Sequence, residues 1–453
     1  MKEFSHTRLD NKQFTEEDIK GFIKDYNIKF IKLQFVDING QVKNLTIPSQ
    51  HIEKALNNEI MLDGSSIKGF RSIETSDMYF FPDLSTFSLL PWRKNEEEGT
   101  NVARIICDIH NADGTPFEGC PRCNLKRVLK EAADMGYVLN VGPEAEFFLF
   151  NTDENGRPVL ETHDKAGYYD VGPDDRGENV RAQMVETLTK MGFDIEASHH
   201  EVADGQHEID FKYADALTTA DNVVSFKYAV KAVAAKNNLY ATFMPKPVFG
   251  INGSGMHCNV SLFKDGKNAF YDENAPYQLS NEAMYSIGSL LQNVMGFTAV
   301  SNPSVNSYKR LVPGYEAPVY LAWSLANRSA LIRVPAKRGN GTRIELRSPD
   351  PSCNPYLVFA VMLTAMLDGI KNKTNPPKQT EENIYDMNAK ERAEKGIASL
   401  PGALNEAIYL MKRNDLVKRA LGEHIYNEFV SSKEKEWDDY RTKVSGWEIE
   451  NYL

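Results

Sequence analysis

The chain has 453 residues, of which 42% are hydrophobic and 25% charged, and its net charge is −11. This length and balance predict a globular protein with two or more domains, and the acidic net charge argues against nucleic acid as the main partner. No apolar run is long enough to cross a bilayer, residues 1–14 lack the apolar stretch of a signal peptide, and five cysteines do not suit a disulfide framework, so we expect a cytoplasmic protein without membrane contacts.

The chain begins with signals for one helix and one hairpin. Residues 14–27 predict a helix with Thr15 as its N-cap and acidic residues in its first turn. Residues 28–48 form two runs of alternating apolar residues around Asn39-Gly40, which is a strong hairpin signal.

A polar segment rich in glycine and proline, residues 108–123, predicts a domain boundary. Beyond it, strand-like runs alternate with amphipathic helices, and from about residue 355 the pattern is mostly helical. The helices of this middle part are predicted at 124–136, 179–191, 219–236 and 281–295. We therefore expect an α+β fold in which a small N-terminal domain, residues 1–108, precedes a large domain, residues 109–453.

The segment GPEAEFFLF, residues 142–150, is mostly apolar but contains two glutamates. In one continuous strand, Glu144 and Glu146 share a face, while the apolar residues next to them take the other. Two carboxylates that close cannot both stay ionised and buried without a cation. This pair alone does not exclude an exposed edge strand with two solvated glutamates.

Three later segments repeat the pattern of a polar face opposite an apolar one. The polar positions are Glu201 and Glu208, on either side of a turn, in 198–210; His257, Asn259 and Ser261 in 252–262; and Arg343, Glu345 and Arg347 in 343–347. Each segment taken singly also suits a hydrogen-bonded histidine or a ladder of surface ion pairs. Taken together, they predict one sheet that gathers five glutamates and His257 into a pocket.

Such a pocket holds too many anions for one hydrated Mg²⁺, which usually takes one or two carboxylates. Oxygen ligands with a single histidine suit two divalent ions, Mg²⁺ or Mn²⁺. Between Lys309 and Arg347 there are eight lysines and arginines and only two acids, Glu316 and Glu345. Metals that face an arginine cluster suit phosphoryl transfer. The chain has neither a P-loop nor a dinucleotide-binding fingerprint, so the residues predict a two-metal, nucleotide-using enzyme of another class with an anionic co-substrate.

Eight motifs resemble those of type I glutamine synthetases and follow the order found in that family. They are DGSSIKGF (63–70), GPEAEFF (142–148), HHEVADGQHE (199–208), NGSGMH (252–257), KRLVPGYEAP (309–318), NRSALIR (327–333), RIELR (343–347) and DPSCNPYL (350–357). The resemblance covers nearly the whole chain. It implies ATP-dependent formation of glutamine from L-glutamate and ammonia through γ-glutamyl phosphate. It also implies an N-terminal β-grasp domain, a catalytic domain with a curved antiparallel sheet, and a dodecamer of two hexameric rings in which neighbours share active sites.

The resemblance also implies a role for each motif residue. The metal ligands would be Glu146, Glu201 and Glu208 for one ion and Glu144, His257 and Glu345 for the other, at least two ions per subunit. Glutamate would contact Asn252, Gly253, Arg310, Glu316, Arg328 and Arg347. ATP would contact Glu196, Tyr213, Asn259, Ser261, Arg328, Arg333 and Arg343. Asp63 would take a proton from ammonium in a pocket shared with Tyr168 and Glu201, and Glu316 would lie on a flap that excludes water.

Four positions bear on the subtype. Many type I enzymes have a histidine where this chain has Asn259, whose amide can still donate and accept. The chain lacks an insertion of about 25 residues that marks the adenylylated subtype, a difference that loop entropy tolerates, and Tyr385 lacks the acidic, proline-containing sequence that follows the modified tyrosine there. Ser72 stands where the Gram-positive-like subtype has its glutamine-feedback arginine, with Arg71 one position early, so feedback inhibition, tyrosine modification and a regulatory protein partner stay open.

Two alternatives remain at this point. A γ-glutamyl ligase of the same family would use an organic amine, but the small anionic pocket of Asp63 and Tyr168 favours ammonium. A catalytically dead relative would act as a scaffold, but such a protein is expected to have lost ligands, and all six are present.

Overall fold

The computed structural model describes residues 14–453. The elements of its N-terminal part are α1 (Glu16–Asp25), β1 (Ile28–Val36), β2 (Val42–Pro48), α2 (Ile52–Leu56), β3 (Met61–Asp63), β4 (Asp77–Leu89) and β5 (Asn101–Asn111). Thr15 caps α1 as predicted, because its side chain accepts a hydrogen bond from the amide of Asp18, whose carboxylate bonds back to the Thr15 amide. The predicted lack of a signal peptide concerns residues 1–14, of which only the last lies within the described residues.

These strands form a five-stranded sheet in the order β2-β1-β5-β4-β3. The central pair β1–β5 is parallel and the other pairs are antiparallel, which confirms the expected β-grasp arrangement. The predicted hairpin is also confirmed, and Gly40 in its turn has a φ of +81°, which a side chain would disfavour. β5 stays paired in this sheet as far as Asn111. The domain boundary predicted at residue 108 therefore lies within β5, three residues before its end.

The larger part of the chain contains the remaining elements. They are α3 (Pro121–Asp134), β6 (Val138–Ala145), β7 (Phe147–Thr152), β8 (Pro158–Thr162), α4 (Glu178–Lys190), β9 (Ile195–His200), β10 (Gln206–Phe211), β11 (Ala214–Asp215), α5 (Ala216–Lys236), β12 (Leu239–Thr242), β13 (Met256–Lys264), β14 (Lys267–Asn268), α6 (Asn281–Ser301), α7 (Ser307–Arg310), β15 (Tyr320–Ser324), β16 (Ala330–Arg333), β17 (Ile344–Leu346), α8 (Pro355–Asn372), α9 (Ala389–Glu394), α10 (Leu404–Met411), α11 (Asp415–Leu421), α12 (Glu423–Arg441) and α13 (Gly446–Tyr452). The four predicted helices and the helical C-terminal part are confirmed.

The strands of this part form two sheets. One has the order β12-β7-β10-β9, with β8 beside β7, and the other has the order β11-β6-β13-β17-β16-β15, with β14 beside β13. Every pair is antiparallel except β15–β16. Because the consecutive strands β6 and β7 belong to different sheets, the two sheets meet at the residue between them and form the curved surface that the resemblance implied.

A buried layer of helices supports this surface. α8 is apolar on nearly all sides, as expected for a helix in the centre of a core. Its N-cap, Asn354, also donates to the carbonyl of Asp37 at 3.1 Å, and buried Arg122 on α3 pairs with Asp83 and Asp108 of the first sheet and with Asp221 of α5. These contacts fix the first sheet to the larger part. Within residues 14–453, no helix combines the length and hydropathy that a membrane span requires.

Candidate active site

The two glutamates of GPEAEFFLF lie at a corner of the chain. β6 ends at Ala145 and β7 begins at Phe147, and the two strands pair in different sheets. The amide of Glu146 donates to the carbonyl of Gly255 at 3.1 Å, and there the pairing of β6 with β13 ends. The prediction of one continuous strand is therefore wrong, because contacts with a distant segment redirect the chain. Glu144 and Glu146 consequently belong to different groups of side chains.

The first group, called the sheet cluster, consists of Glu144, His257 and Glu345. These residues come from the neighbouring strands β6, β13 and β17, and His257 lies directly opposite Glu144 in the register. Nδ1 of His257 is 3.3 Å from Glu144 Oε2 and 3.7 Å from Glu345 Oε1. One potential ligand atom from each residue lies within 4.8 Å of the others. The alternation predicted for β13 and β17 thus brings three of the six expected ligands together.

Cations and amides surround the sheet cluster. Arg333 and Arg347 donate to the two oxygens of Glu345, at 2.7 and 3.2 Å, and Asn259 donates to Glu144 at 2.9 Å. Burial acts to raise the pKa of Glu144, but His257 and Asn259 outweigh it and hold that pKa below its ordinary value. The sheet cluster therefore has its negative charge largely balanced by protein groups.

The second group, called the hairpin cluster, consists of His199, Glu201 and Glu208. It lies at the end of the β9–β10 hairpin, where His199 is opposite Glu208, and its ligand atoms also lie within 4.8 Å of one another. Nε2 of His199 is 3.3 Å from Glu208 Oε1. The predicted turn between Glu201 and Glu208 is confirmed, but the sequence analysis missed His199. Its place two residues before Glu201, where an extended chain puts both side chains on one face, was the signal that could have found it.

Glu146 lies beside the hairpin cluster without belonging to its closest set. Its Oε2 accepts hydrogen bonds from Gln206 Nε2 at 2.8 Å and from the amide of Gly255 at 2.9 Å. Burial and the nearby charges of Glu201 and Glu208 raise the pKa of Glu146 well above its ordinary value. Burial and neighbouring carboxylates likewise raise the pKa of Glu208. Carboxylates held this close without arginine partners suit a divalent cation.

A cavity of about 380 Å³ opens beside the sheet cluster. Its walls contain five of the seven predicted nucleotide contacts, together with the metal-ligand candidate Glu144. The five are Glu196, Tyr213, Asn259, Ser261 and Arg343. Asn259 connects the cavity to the sheet cluster, since its amide donates to Glu144 and its oxygen accepts from Arg343 at 2.9 Å. The sequence analysis did not single out Lys337, which lines the same cavity.

The residues predicted to hold glutamate lie around a buried arginine. Arg310 is 4% exposed and donates to the carbonyls of Ser348, Pro349 and Arg347, while Arg347 also donates to the carbonyl of Arg328. The side chain of Arg328 is exposed.

Two other residues predicted to contact glutamate, Asn252 and Glu316, are hydrogen-bonded to each other. Asn252 donates to the carboxylate of Glu316 at 3.3 Å. Glu316 has a φ of +57°, a backbone conformation that is uncommon for a residue with a side chain and that often occurs at functional loops. The carbonyl of the neighbouring Gly253 accepts from Gln206, so this segment is also connected to the environment of Glu146.

Asp63 and Tyr168, two of the three residues predicted for the ammonium pocket, lie far apart in sequence and in different parts of the chain. Tyr168 stacks on Tyr169 with ring centroids 4.0 Å apart and touches His199 edge-on. Asp63 lies at the end of β3, in the first sheet, where its carboxylate accepts from the amide and hydroxyl of Ser65. Those bonds lower the pKa of Asp63, so its carboxylate is ionised. Its hydrogen-bond partners in the described range all belong to its own loop region.

Known proteins resemble the chain along its whole length. Residues 27–112 match the family described as "Glutamine synthetase, beta-Grasp domain" and residues 118–452 match "Glutamine synthetase, catalytic domain". The glutamine synthetase of Clostridium saccharobutylicum is 60% identical over 441 residues, which cover 97% of this chain and 99% of that protein. That of Staphylococcus aureus strain N315 is 57% identical over 446 residues, which cover 98% and 99%.

Solved structures agree with these relatives. A complex described as GmaS with ADP superimposes with a TM-score of 0.87 at 31% identity, over 96% of this chain and 99% of that one. The glutamine synthetase of Plasmodium falciparum superimposes with a TM-score of 0.86 at 27% identity, over 100% of both chains.

Proposed function

The chain belongs to the glutamine synthetase family and forms glutamine from glutamate, ammonia and ATP, and on this basis we propose which residues perform each step. One observation supports the assignment above all others. Glu144 is at once a member of the sheet cluster and part of the wall of the 380 Å³ cavity. An ATP molecule in that cavity would place its phosphates next to the sheet cluster, with the hairpin cluster beyond.

We assign each cluster to one divalent ion. Glu201 and Glu208 of the hairpin cluster, with the adjacent Glu146 and with His199 as a further candidate, would hold one, and Glu144, His257 and Glu345 would hold the other. Carboxylate oxygens with one or two imidazoles fit Mg²⁺ or Mn²⁺, which bind mostly oxygen. The family requires ATP and divalent metal, and our proposal adds the number of two ions per subunit. When bound, such ions neutralise phosphate oxygens and orient the transferred group.

The first chemical step transfers phosphate to glutamate. An oxygen of the γ-carboxylate attacks the γ-phosphorus of ATP, the bond from phosphorus to the bridging oxygen breaks, and ADP leaves. Arg310, Asn252 and Gly253 hold the amino-acid end of glutamate, and Arg347 directs its γ-carboxylate. Arg328 and Arg333 neutralise the charge that spreads over the phosphoryl oxygens.

The second step replaces phosphate by ammonia. Ammonium binds between Asp63, Tyr168 and Glu201, and Asp63 accepts one proton so that the nitrogen lone pair attacks the acyl carbon. The bond from this carbon to the phosphate oxygen breaks, and the nitrogen gives a second proton to the departing phosphate, which leaves the neutral amide of glutamine. Glu316 closes the entrance while the acyl phosphate exists, because water that entered would hydrolyse it. The uncommon backbone conformation of Glu316 supports its place on such a flap.

The separation of Asp63 from the two clusters supports a shared active site. Asp63 is exposed in the first sheet and bonds only within its own loop region among the described residues, whereas every proposed metal ligand follows residue 140. We propose that the first domain of one subunit completes the site of its neighbour in a head-to-tail ring. Two stacked rings of six would give the dodecamer, and the first domain would be residues 1–108, or slightly longer because β5 runs to Asn111.

Mixing two inactive variants tests the shared site. In rings assembled from Asp63→Ala and Glu345→Ala subunits, a site works only where intact metal ligands meet an intact Asp63 from the neighbour. Random mixing should therefore restore roughly a quarter of wild-type activity, as expected for a head-to-tail contact. Activity that stays at the level of the separate variants, despite mixing proven by mass spectrometry, would show that each site is built within one chain.

An assay of phosphate release tests the reaction itself. Release from ATP should require glutamate, should rise strongly when ammonia is added, and should not rise as strongly with ethylamine, since the proposed pocket fits a small cation. A preference for ethylamine would favour the alternative of an amine ligase, and no glutamate-dependent release at all would favour a scaffold. A cytoplasmic location agrees with the five free cysteines, and a regulatory protein partner stays a prediction.

A further inference from the structure

A buried histidine–aspartate pair adjoins the hairpin cluster. His200 and Asp164 are 0% and 4% exposed, and Nε2 of His200 is 3.0 Å from Asp164 Oδ1. Nδ1 of His200 is 2.7 Å from the carbonyl oxygen of Glu201. Each ring nitrogen thus has an oxygen within hydrogen-bond distance, and the ring links Asp164 to the backbone of Glu201.

Asp164 also holds the turn of the hairpin. The same Oδ1 accepts a hydrogen bond from the amide of Gly205 at 2.9 Å. Gly205 has a φ of +66°, and a Cβ at this position would lie 2.8 Å from Cβ of Thr162, so the turn is tightly packed against the segment that precedes Asp164. One carboxylate oxygen thereby fixes the turn directly, and it fixes the backbone of Glu201 through His200.

The segment that contains Asp164 also contains the aromatic part of the proposed ammonium pocket. Tyr168 follows four residues later, and the amide of Tyr169 donates to the carbonyl of His200 at 3.2 Å. His200 is therefore bonded to the metal-ligand residue on one side and to the ammonium-pocket segment on the other. A change in this pair would move both together.

We propose that Asp164 and His200 are positioning residues that set the geometry of the hairpin cluster and connect it to the ammonium pocket. This inference rests on the roles proposed above for Glu201 and Tyr168. It gives the pair a specific signature, because weaker metal binding and a higher KM for ammonium should appear together. The ATP cavity contacts this hairpin only at its opposite end, through Glu196, Ala197, Asp210 and Phe211, and its other walls come from other segments. The KM for ATP at saturating metal should therefore change less than the KM for ammonium.

Substitution of Asp164 in the full-length protein tests the proposal. Asp164→Ala removes both acceptor contacts, and we expect about 10–100-fold weaker Mn²⁺ binding at one class of sites by calorimetry, the range found when outer-shell partners of metal ligands are lost. In the same variant, half-maximal activity should require more Mg²⁺, and the KM for ammonium should rise. High Mg²⁺ should restore most of the rate. Asp164→Asn retains an acceptor oxygen and should lie between Ala and wild type.

Asp170→Asn is the matched control. Asp170 lies in the same segment, is exposed, and accepts a hydrogen bond from the amide of Gly167 at 2.7 Å, but it bonds to nothing on the hairpin. It should bind metal and ammonium like wild type. A metal dependence that is unchanged in Asp164→Ala, a loss of activity that Mg²⁺ does not restore, or a failure of both Asp164 variants to fold would each overturn the positioning role.

Glu201→Gln separates this inference from the ligand assignment. If Glu201→Gln leaves both classes of Mn²⁺ sites intact, the proposed ligand set is wrong. If it removes one class while Asp164→Ala binds Mn²⁺ normally, the ligand set stands and only the positioning role of Asp164 and His200 fails.

Discussion

The sheet cluster and the hairpin cluster both bring carboxylates close together, but they differ in how the negative charge is balanced. In the sheet cluster, Glu345 is paired with two arginines and Glu144 with an imidazole and an amide. In the hairpin cluster and the adjacent Glu146, one histidine and a few amide donors lie near the carboxylates, and burial, together with nearby carboxylates, raises their pKa values. The folded protein therefore balances the charge of one cluster with its own groups, whereas the carboxylates of the other suit a bound cation.

This difference has a physical origin in the strands. Registered neighbours in one sheet can place opposite charges side by side, as β16 and β17 do with Arg333 and Glu345. At the chain corner, the hydrogen-bond donors to Glu146 are instead the amide of Gly255 and the side chain of Gln206. The comparison therefore predicts different responses to the same substitution in the two clusters.

The largest effect is expected for paired glutamate-to-glutamine changes. Both Glu144→Gln and Glu146→Gln should lower synthesis by more than about 100-fold, since even outer-shell changes at metal sites cost 10–100-fold. Their effects on stability in EDTA should be opposite. The oxygen of a glutamine at 146 can still accept from Gln206 and Gly255 and removes a repelled charge, so the free energy of unfolding should rise by about 1 kcal/mol.

Glutamine at position 144 should instead destabilise the protein by about 1 kcal/mol, because its amide group must face either His257 or Asn259 with the wrong polarity. Urea unfolding of both variants and wild type, at one protein concentration, measures the two signs. Equal signs would show that the clusters do not differ in charge balance.

The second effect is a pH dependence of stability to which the buried carboxylates in and beside the hairpin cluster contribute. The folded-state pKa values of Glu146 and Glu208 lie above those of an unfolded chain, and burial raises the pKa of neighbouring Asp210 to about 6. The folded state thus binds more protons, so this contribution to stability is fully present below the unfolded pKa values, near 4, and is lost as pH rises through the folded ones.

In EDTA, the stability gained by Glu146→Gln relative to wild type should therefore be small at pH 5 and larger at pH 8. Urea midpoints at several pH values test this. A gain that shrinks as pH rises, or that Glu144→Gln reproduces, would contradict the assigned charge balance.

The smallest effects are expected for the two amides that serve the clusters. Asn259→Ala removes contacts to Glu144 and Arg343 beside the nucleotide cavity and should raise the KM for ATP by about 5–10-fold, the value of one or two ordinary hydrogen bonds. Gln206→Ala removes a donor to Glu146 and should change metal binding more than the KM for ATP. Asn259→His should recover most of the ATP affinity. Steady-state kinetics at limiting and saturating Mg²⁺ distinguish the two patterns.

Much of the site could be predicted from the sequence because strands have a period of two. The alternation in β13 and β17 placed His257, Asn259 and Glu345 on one face, and the turn between Glu201 and Glu208 was visible from its glycine. The corner at Glu146 could not be predicted, because a glutamate inside an apolar run continues the strand pattern and the redirecting contact comes from a residue far along the chain.

The local sequence pattern also could not predict the roles of His199 and of the pair Asp164 and His200. His199 was overlooked because its ligand role depends on which residue faces it across the hairpin, and that register is a property of the folded pair. The roles of Asp164 and His200 depend on hydrogen bonds between segments 36 residues apart, which no spacing rule encodes.

The corner at Glu146 also bears on how the protein is made. Residues 144 and 146 leave the ribosome together, but their partners follow much later. His257, the partner of Glu144, lies 113 residues further along the chain, and Gly255, the partner of Glu146, lies 109 residues further. Glu345 follows later still. Contacts this distant form late, after long loops close. A growing chain shorter than 345 residues therefore lacks Glu345, so the sheet cluster is completed only late in synthesis.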